Sequence, residues 1–356
     1  MQLERLGWPK EWPLEEDKAS KVARITSMLR GQYKGISSSG EMILTLSGKY
    51  KQKKNHNLVH PAVGDWVEFG DTFTDSKGRL SATIDQTFTR YSKISRVRAG
   101  TTSEEQVLAA NVEYAFIVSS TNQDLKIPRL NRYLLMVRNG NVQPVLILSK
   151  IDLSPSYRDI EATLKSEFPQ VPVHCISTLE MSGLHELLRY FQAGQTCVFL
   201  GSSGVGKSTL LNHFIGDGTQ RVQDIREGDD KGKHTTTSRE LFFLEEGGML
   251  IDTPGLREIQ VFGDDSHLTT GFQEVESLIR SCRYSNCTHE QEDGCAIREA
   301  LEDGTLKEEN WSQFLKLQKE LAFANRKMDK REQSNAKKRW RDINVGMRQR
   351  RKFEKK

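Results

Sequence analysis

The chain has 356 residues, of which 36% are hydrophobic, with a mean hydropathy of −0.60 and a net charge of +4. This length favours two or three domains, and no apolar run approaches the ~18 residues that a membrane-spanning helix needs. The N-terminal residues MQLERLGWPKEWP lack the apolar core of a signal peptide, so we expect a cytoplasmic protein that does not associate with membranes.

Short alternating runs, separated by turn residues, occupy residues 22–98. VARITSML, EMILTLSG, GDWVEFG and LSATIDQTFTR are examples, and their spacing is typical of a small antiparallel barrel or sandwich. We therefore predict a barrel domain at 22–104, after an N-terminal extension at 1–21 that has few apolar positions. A basic loop lies between the strands, and either it is simply solvated or it binds RNA phosphates through Lys49, Lys51, Lys53 and Lys54.

From about residue 107, apolar strands alternate with helical segments. The predicted strands are VEYAFIVSS, VQPVLILSK, VPVHCIS and TCVFLG, and the predicted helices lie at 128–139, near 156–168, at GLHELLRYF and from Lys207. LFFLEE and GMLIDTPG are predicted to add a hairpin. Alternation of this kind indicates a mostly parallel sheet with buried strands, and hence an α/β domain at 105–265.

A phosphate-binding loop is the most specific motif in the chain. In CVFLGSSGVGKSTLL the pattern G-x-x-x-x-G-K-S stands between a strand and a helix, where backbone N–H groups can surround phosphates. Lys207 would pair with the β and γ phosphates, Ser208 would bind Mg²⁺ and Thr209 would contact the α phosphate. A glycine-rich turn without a ligand is disfavoured, because every fixed position agrees. The predicted binding residues are Gly201, Ser202, Ser203, Gly204, Val205, Gly206, Lys207, Ser208 and Thr209.

Two further motifs follow in the order expected of a nucleoside triphosphatase. The threonine-rich stretch KGKHTTTS suits a first switch loop, in which Thr236 would complete the Mg²⁺ coordination. MLIDTPG fits the D-x-x-G element, with Asp252 holding Mg²⁺ through water and the N–H of Gly255 sensing the γ phosphate. The next residue is Leu256, which cannot orient water, so slow intrinsic hydrolysis is expected. His234 is either a substitute catalytic group or an ordinary surface histidine.

A guanine-reading element precedes the phosphate loop instead of following it. VLILSKID ends a predicted strand with Ser149, Lys150 and Asp152, close to N-K-x-D. Asp152 could accept the guanine N–H groups, while the Lys150 stem could cover the ring. Ser177 and Thr178, after the next strand, fit a loop that lines the base. The motif order is therefore a cyclic rotation of the usual one, which leaves a site intact when the old termini lie close together.

A cluster of thiols and one imidazole follows the α/β domain. In a reducing compartment such clusters indicate metal rather than disulfides, and three thiolates with one imidazole form a closed tetrahedral Zn²⁺ site of structural type. Free thiols are the alternative on spacing alone, and Cys175 and Cys197 are predicted to be plain core residues. Helical patterns surround the cluster, which predicts a helical domain at 266–325. The proposed ligands are Cys282, Cys287, His289 and Cys295.

The last residues form a basic tail. Residues 326–356 contain fourteen Lys and Arg against four Asp and Glu, a net of +10, whereas the whole chain carries +4 and the remainder therefore −6. A basic tail on an acidic body is typical of chains that touch nucleic acid, although it could serve only to keep the protein in solution. The candidate RNA-binding residues of the tail are Lys337, Lys338, Arg339 and Arg341.

Taken together, these motifs resemble the RsgA (YjeQ/YloQ) family of circularly permuted GTPases. The resemblance covers about residues 22–325 and rests on PAVGDWV, GSSGVGKSTL, KHTTTSRE, DTPGLRE, the permuted order and the cysteine cluster. It implies an N-terminal OB-fold barrel, a central GTPase domain and a C-terminal zinc-binding helical domain. It also implies late maturation of the small ribosomal subunit, with His234 as a catalytic residue. The family has Asn where this chain has Ser149, so weaker GTP affinity or guanine selectivity is expected.

We therefore predict a monomer that binds the small ribosomal subunit and its rRNA, and that hydrolyses GTP to GDP and phosphate to drive its own release. One structural Zn²⁺, and Mg²⁺ bound with GTP, are the expected cofactors. Two alternatives stay open. An RNA-binding assembly protein with a degenerate nucleotide site would explain Leu256 and Ser149, and an ATPase or small-molecule kinase could use the same phosphate loop.

Overall fold

The computed structural model divides the chain into two compact units. Unit 1 comprises Met1–Ser95 and Val107–Ile259, and unit 2 comprises Arg96–Gln106 and Gln260–Lys356. The structure describes residues 3–12, 19–29, 31–48, 50, 60–97, 105–121, 125–216, 239–245, 247–253, 272–320 and 322. Several predicted site residues lie outside this part of the chain: Lys49, Lys51, Lys53, Lys54, His234, Thr236, Gly255, Lys337, Lys338, Arg339 and Arg341.

A five-stranded barrel forms the first half of unit 1. Its strands run in the order β1-β2-β3-β6-β4, and β4 pairs with β1 to close the ring. All neighbours are antiparallel except β3 and β6, which are parallel. The predicted OB-like barrel is thus confirmed. The strands are β1 (Val22–Leu29), β2 (Gln32–Ser37), β3 (Gly40–Leu46), β4 (Trp66–Phe69), the short β5 (Phe73–Thr74) that pairs with β6, and β6 (Leu80–Thr87).

The second half of unit 1 is an α/β layer structure. Its strands run in the order β11-β10-β9-β12-β14-β13, and all are parallel except β13, which pairs antiparallel with β14. These strands are β9 (Tyr114–Ser120), β10 (Gln143–Ser149), β11 (Val173–Cys175), β12 (Thr196–Gly201), β13 (Glu240–Phe243) and β14 (Met249–Asp252). The helices are α1 (Ile127–Asn139), α2 (Tyr157–Glu167) and α3 (Lys207–Ile215). Outside this layer, β7 (Lys93–Val97) pairs with β8 (Glu105–Ala110).

The α/β strands are apolar throughout because both faces of the sheet are covered. Along β9, Ala115 and Ile117 belong to one buried cluster, whereas Phe116 and Val118 belong to another. Successive side chains of a strand point to opposite faces, so this alternation places one cluster on each side. The sequence prediction of buried parallel strands is confirmed.

One predicted helix has a different geometry. GLHELLRYF forms a 3-10 helix over Leu184–Tyr190 rather than an α-helix. Its buried residues are Leu184, Leu187 and Tyr190, which stand three positions apart. That spacing matches the three residues per turn of a 3-10 helix, so this geometry keeps all three side chains on one buried face.

The described part of the predicted N-terminal extension includes residues that pack against the rest of unit 1. A 3-10 turn spans Leu3–Leu6, and Leu6 and Trp8 are buried. Trp8 makes edge-to-face contacts with Trp66 and Phe88. The segment has few apolar residues, but they include large side chains, each of which buries a large area. A low apolar content therefore did not reveal this packing.

The barrel and the α/β layer share one sheet. β1 pairs antiparallel with β13 at Ser27 and Glu240, so the two sheets run into each other. Beside this joint lies Arg24, whose side chain is completely buried. Its guanidinium donates to the carbonyls of Leu6, Gly64 and Asn111, to Thr196 Oγ1 and to Met249 Sδ, at 2.5, 3.3, 2.8, 2.8 and 3.2 Å respectively.

Unit 2 is helical where it is described beyond residue 271. It contains α4 (Gln273–Ser281), α5 (Ala296–Glu302) and a further helix, α6, over residues 308–320. Phe272 packs edge-to-face on Phe314, and Val275, Ile297 and Leu317 are buried with them. Across the described residues of the chain, no helix combines the length and apolar character needed to cross a membrane.

Candidate nucleotide and metal sites

The phosphate loop lies between β12 and α3 and has a backbone that only glycine adopts easily. Gly201, Gly204 and Gly206 have φ values of 142°, 84° and 101°. A Cβ at Gly201 would approach the carbonyl oxygen of Val118 to 2.3 Å, which no side chain could tolerate. The loop therefore adopts the wrapped form that directs N–H groups towards a phosphate at the head of a helix.

Two residues of opposite charge, Lys207 and Asp252, lie near each other at this loop. Lys207 Nζ donates to the carbonyls of Gly201 and Ser202 at 2.8 and 2.5 Å. Asp252 ends β14, the strand next to β12, where burial raises the pKa of its carboxyl and the nearby Lys207 charge opposes that rise. Ser208 and Thr209 are exposed at the start of α3, where they are open to a ligand. A lysine, a carboxylate and hydroxyls at one loop suit a Mg²⁺-bound triphosphate.

Lys150 connects the end of β10 to the phosphate loop. Its backbone is left-handed, with φ of 58°, and Thr121 Oγ1 donates to its carbonyl at 2.8 Å. The Lys150 ammonium donates to the carbonyl of Gly204 at 2.7 Å. The side chain thus stretches across the space beside the loop, with its alkyl stem available to cover a flat ligand.

The two base-reading segments meet at a short hydrogen bond. Ser177 Oγ donates to Asp152 Oδ1 at 2.5 Å and accepts from the N–H of Glu180 at 3.1 Å. Backbone bonds between Ser177 and Ser182 close the loop in which Thr178 is half-buried. Asp152 is therefore held in place by the loop that was predicted to line the base.

Ser149 is buried and fixes the phosphate loop from the side. Its Oγ lies 2.6 Å from the carbonyl oxygen of Val205 and 3.3 Å from that of Ser119. A hydroxyl carries one proton, so the shorter contact is the better donor geometry. The shorter side chain of Ser, compared with the Asn of the family pattern, still reaches the loop.

Arg129 is a site residue that the sequence motifs missed. It lies in the first turn of α1, and its Nη1 donates to Ser202 Oγ in the phosphate loop at 2.6 Å. Since α1 follows β9 and β9 is the neighbour of β12, its first turn lies at the same edge of the sheet as the loop. Only this topology, and no local motif, could have pointed to Arg129.

The predicted zinc ligands of unit 2 come together in space. The ligand atoms of Cys282, Cys287, His289 and Cys295 all lie within 4.8 Å of one another. His289 Nδ1 is 3.5 Å from the Sγ atoms of Cys282 and Cys295. Tetrahedral bonds of about 2.3 Å to sulfur and about 2.0 Å to nitrogen give ligand separations of about 3.5–3.8 Å, so the donor set fits Zn²⁺.

The other two cysteines do not form part of this cluster. Cys175 is half-buried on β11 and Cys197 is fully buried on β12. Burial raises the pKa of the Cys175 thiol to about 12, and burial likewise raises the pKa of Cys197. Both thiols therefore stay protonated and behave as core residues, as predicted.

Comparison with known proteins points to one family. The family model described as RsgA GTPase matches residues 87–262, and a model for ABC transporters matches residues 184–354, which also contain the phosphate loop. The small ribosomal subunit biogenesis GTPase RsgA of Opitutus terrae is 38% identical over 324 residues, which cover 90% of this chain and 88% of the relative. The protein of the same name from Methanosarcina acetivorans is 39% identical, over 82% of this chain and 78% of its own length.

Solved structures share the fold. The crystal structure of YjeQ from Thermotoga maritima aligns with a TM-score of 0.61 at 24% identity, over 85% of this chain and 98% of that one. YloQ, described as a circularly permuted GTPase, aligns with a TM-score of 0.58 at 23% identity, over 85% and 95% of the two chains. The chain therefore shares its fold with both proteins, of which YloQ is described as circularly permuted.

Proposed function

Because this chain belongs to the RsgA family of circularly permuted GTPases, we propose that it hydrolyses GTP to GDP and phosphate under stimulation by the small ribosomal subunit, whose late maturation it assists. One observation carries the proposal. Lys207, Asp252 and the Asp152–Ser177 pair all stand at the carboxyl ends of neighbouring parallel strands. That edge is where open α/β sheets bind nucleotides.

Each side of the site has a distinct role. The loop from Gly201 to Thr209 binds the phosphates through backbone N–H groups and Lys207. Guanine is read by the carboxylate of Asp152, which accepts its N–H groups, and by the stem of Lys150. Further base contacts come from Ser149, Ser177 and Thr178. Ser208 and Thr236 would hold Mg²⁺, Asp252 would do so through water, and the N–H of Gly255 would sense the γ phosphate.

Hydrolysis is a displacement at the γ phosphorus. The oxygen of a water molecule bonds to that phosphorus, the bond to the bridging oxygen breaks, and GDP leaves with the electron pair. The water oxygen becomes a phosphate oxygen, and both of its protons end on the released phosphate. His234 would orient this water, since Leu256 has no polar group. Lys207 stabilises the negative charge, and bound Mg²⁺ supplies further positive charge.

The rRNA of the small subunit is the proposed partner. The barrel could meet RNA through Lys49, Lys51, Lys53 and Lys54, and the basic tail through Lys337, Lys338, Arg339 and Arg341. GTP would favour the subunit-bound form, and hydrolysis would release a cytoplasmic monomer. The net charge of +10 over residues 326–356 supports a nucleic-acid partner for the tail.

A nucleotide titration followed by a turnover assay tests the function. Purified protein should bind labelled GDP at least about a hundredfold more tightly than ADP, since a site built to hydrogen-bond one base leaves polar groups unpaired with another. GTP turnover should rise when small subunits are added, and Lys207→Ala should abolish both binding and turnover. Equal affinity for ADP would indicate an ATPase, and guanine binding without turnover would indicate a binding protein.

A further inference from the structure

Two cationic side chains converge on one residue of the phosphate loop. Lys207 Nζ donates to the carbonyl oxygen of Ser202 at 2.5 Å, and Arg129 Nη1 donates to the hydroxyl of the same residue at 2.6 Å. Lysine at this motif position serves the β and γ phosphates. Ser202 therefore lies in the part of the loop that would face the β and γ phosphates, and the Arg129 guanidinium is held beside it.

We propose that Arg129 is a second cationic group of the GTPase site, which stabilises the negative charge of the γ-phosphoryl group as it is transferred to water. This inference rests on the proposed function. Guanidinium is planar, always charged and forked, a geometry that matches phosphate oxygens, and it remains protonated throughout, so it transfers no proton. In other phosphoryl-transfer enzymes an arginine supplied to the site gives large rate increases.

Position makes Arg129 suited to this role. It projects from the first turn of α1, directly after the central strand β9, which pairs with β12 up to Gly201. Its hydrogen bond to Ser202 orients the guanidinium beside the loop, and a group positioned in advance needs no reorganisation during the reaction. Lys150, by contrast, is bound to Gly204 further along the loop, on the side of the base-reading segment.

Three substitutions separate the positive charge of Arg129 from its hydrogen bond to Ser202. Arg129→Ala removes both, and Arg129→Gln keeps an N–H donor for Ser202 without the charge. Arg129→Lys keeps the charge without the forked guanidinium. Lys126→Ala is the matched control, because Lys126 is an exposed cation that precedes the same helix. For each purified variant we would measure GTP turnover with saturating small subunits, GDP affinity, and the gain in GDP retention when aluminium fluoride mimics the γ-phosphoryl group.

We expect turnover of Arg129→Ala and Arg129→Gln to fall about a hundredfold to a thousandfold, the range typical of losing one transition-state donor. The turnover of Arg129→Lys should fall less. GDP affinity should stay within about threefold of the Lys126→Ala control, whereas the aluminium fluoride effect should disappear, because only the transition state needs the charge.

Other results would overturn the inference. Normal turnover of Arg129→Gln would mean that Arg129 only braces Ser202, and equal losses in turnover and GDP affinity would mean that it only shapes the loop. If the wild type hydrolyses GTP and the Arg129 variants have the same turnover, the inference about Arg129 fails but the proposed function stands. If the wild type neither binds GDP nor hydrolyses GTP, the proposed function fails as well.

Discussion

A single buried hydroxyl ties the base-reading strand to the phosphate loop. Ser149 Oγ lies 2.6 Å from the carbonyl oxygen of Val205, and Val205 is itself buried within the loop. The preceding strand β10 leads directly into Lys150 and Asp152, so this bond couples the position of the proposed base-reading residues to that of the phosphate loop. In the proposed function, the guanine and the phosphates of one GTP molecule would bind to these two coupled parts.

Ser149→Ala tests this coupling. It leaves the Val205 carbonyl without its donor, and losing one such bond costs about 0.5–1.5 kcal/mol, or roughly twofold to tenfold in GDP affinity. Ser149→Asn should change GDP affinity less, because an amide can donate to the same carbonyl. Fluorescent GDP titration of the three proteins measures the effect. Ser149→Ala with wild-type affinity would show that the bond contributes nothing to binding.

Among individual residues, the sequence predicted those that belong to a motif. It missed residues that come close to the site only through the strand order of the sheet. The glycines of the phosphate loop and Lys207 follow from a fixed pattern, and the loop has the wrapped backbone expected of it. Arg129 belongs to no pattern, since its place depends on β9 lying beside β12. The reach of Ser149 likewise depends on how closely β10 approaches the loop, which spacing along the chain does not reveal.

Among the structural elements, the cysteine-rich loop brings four potential metal ligands together between two helices. It connects α4 to α5, with Cys282 directly after one helix and Cys295 directly before the other. His289 has a left-handed backbone, with φ of 65°, and its ring packs edge-to-face on Trp311 at 5.5 Å. A strained backbone at a ligand is maintained when its surroundings hold it, and here a bound cation would do so.

Removal of zinc should therefore unfold unit 2 and spare nucleotide binding. Cys287→Ser, or a strong chelator, should abolish the single bound zinc and lower the helical signal in circular dichroism, because small metal sites contribute folding free energy directly. GDP affinity should be unchanged, since the described nucleotide-binding residues lie in unit 1. Cys175→Ala is the control and should keep its zinc. Elemental analysis showing no zinc in the wild type would contradict the assignment.

Element types were predictable where the period of apolar residues was clear. Continuous apolar runs gave the parallel strands, and alternating runs gave the barrel strands. The segment Leu184–Tyr190 was the exception, since buried positions three apart are compatible with an α-helix as well as with a 3-10 helix over two turns. Packing against the sheet, rather than local preference, selects the 3-10 form.

At the level of the whole molecule, the barrel and the α/β layer of unit 1 are joined and are not two independent domains that merely follow each other along the chain. The pairing of β1 with β13 makes the barrel and the nucleotide-binding layer one continuous sheet. Arg24, on β1, donates to Thr196 at the start of β12 and to Met249 at the start of β14. Those two strands end at the phosphate loop and at Asp252, so barrel and site share a common support.

No sequence pattern predicted this joint. The pairing of β1 with β13 joins residues more than two hundred positions apart, and Arg24 lies in an ordinary alternating strand. Arginines are seldom fully buried unless they are paired, and nothing in the sequence around Arg24 marks it as an exception. The N–H donors of the Arg24 guanidinium are satisfied by carbonyls of three different segments, at Leu6, Gly64 and Asn111. Only the folded chain brings these segments together.

Arg24→Met should therefore destabilise all of unit 1. Burial already lowers the pKa of the Arg24 guanidinium, so the site is unfavourable for a charge. Removing the guanidinium nevertheless takes the donor away from three buried acceptors, the carbonyls of Leu6 and Asn111 and the Thr196 hydroxyl, whereas the Gly64 carbonyl still accepts from Asn111 Nδ2. At about 1–3 kcal/mol for each unsatisfied group, the loss should be about 3 kcal/mol or more, and the Tm should fall by roughly 6–12 °C. Thermal unfolding followed by circular dichroism measures this. Lys21→Ala is the control, since its ion pair with Asp71 is exposed and contributes about 0.5 kcal/mol or less. Equal Tm values for the two variants would mean that methionine packing replaces the lost hydrogen bonds, and that Arg24 does not hold barrel and sheet together.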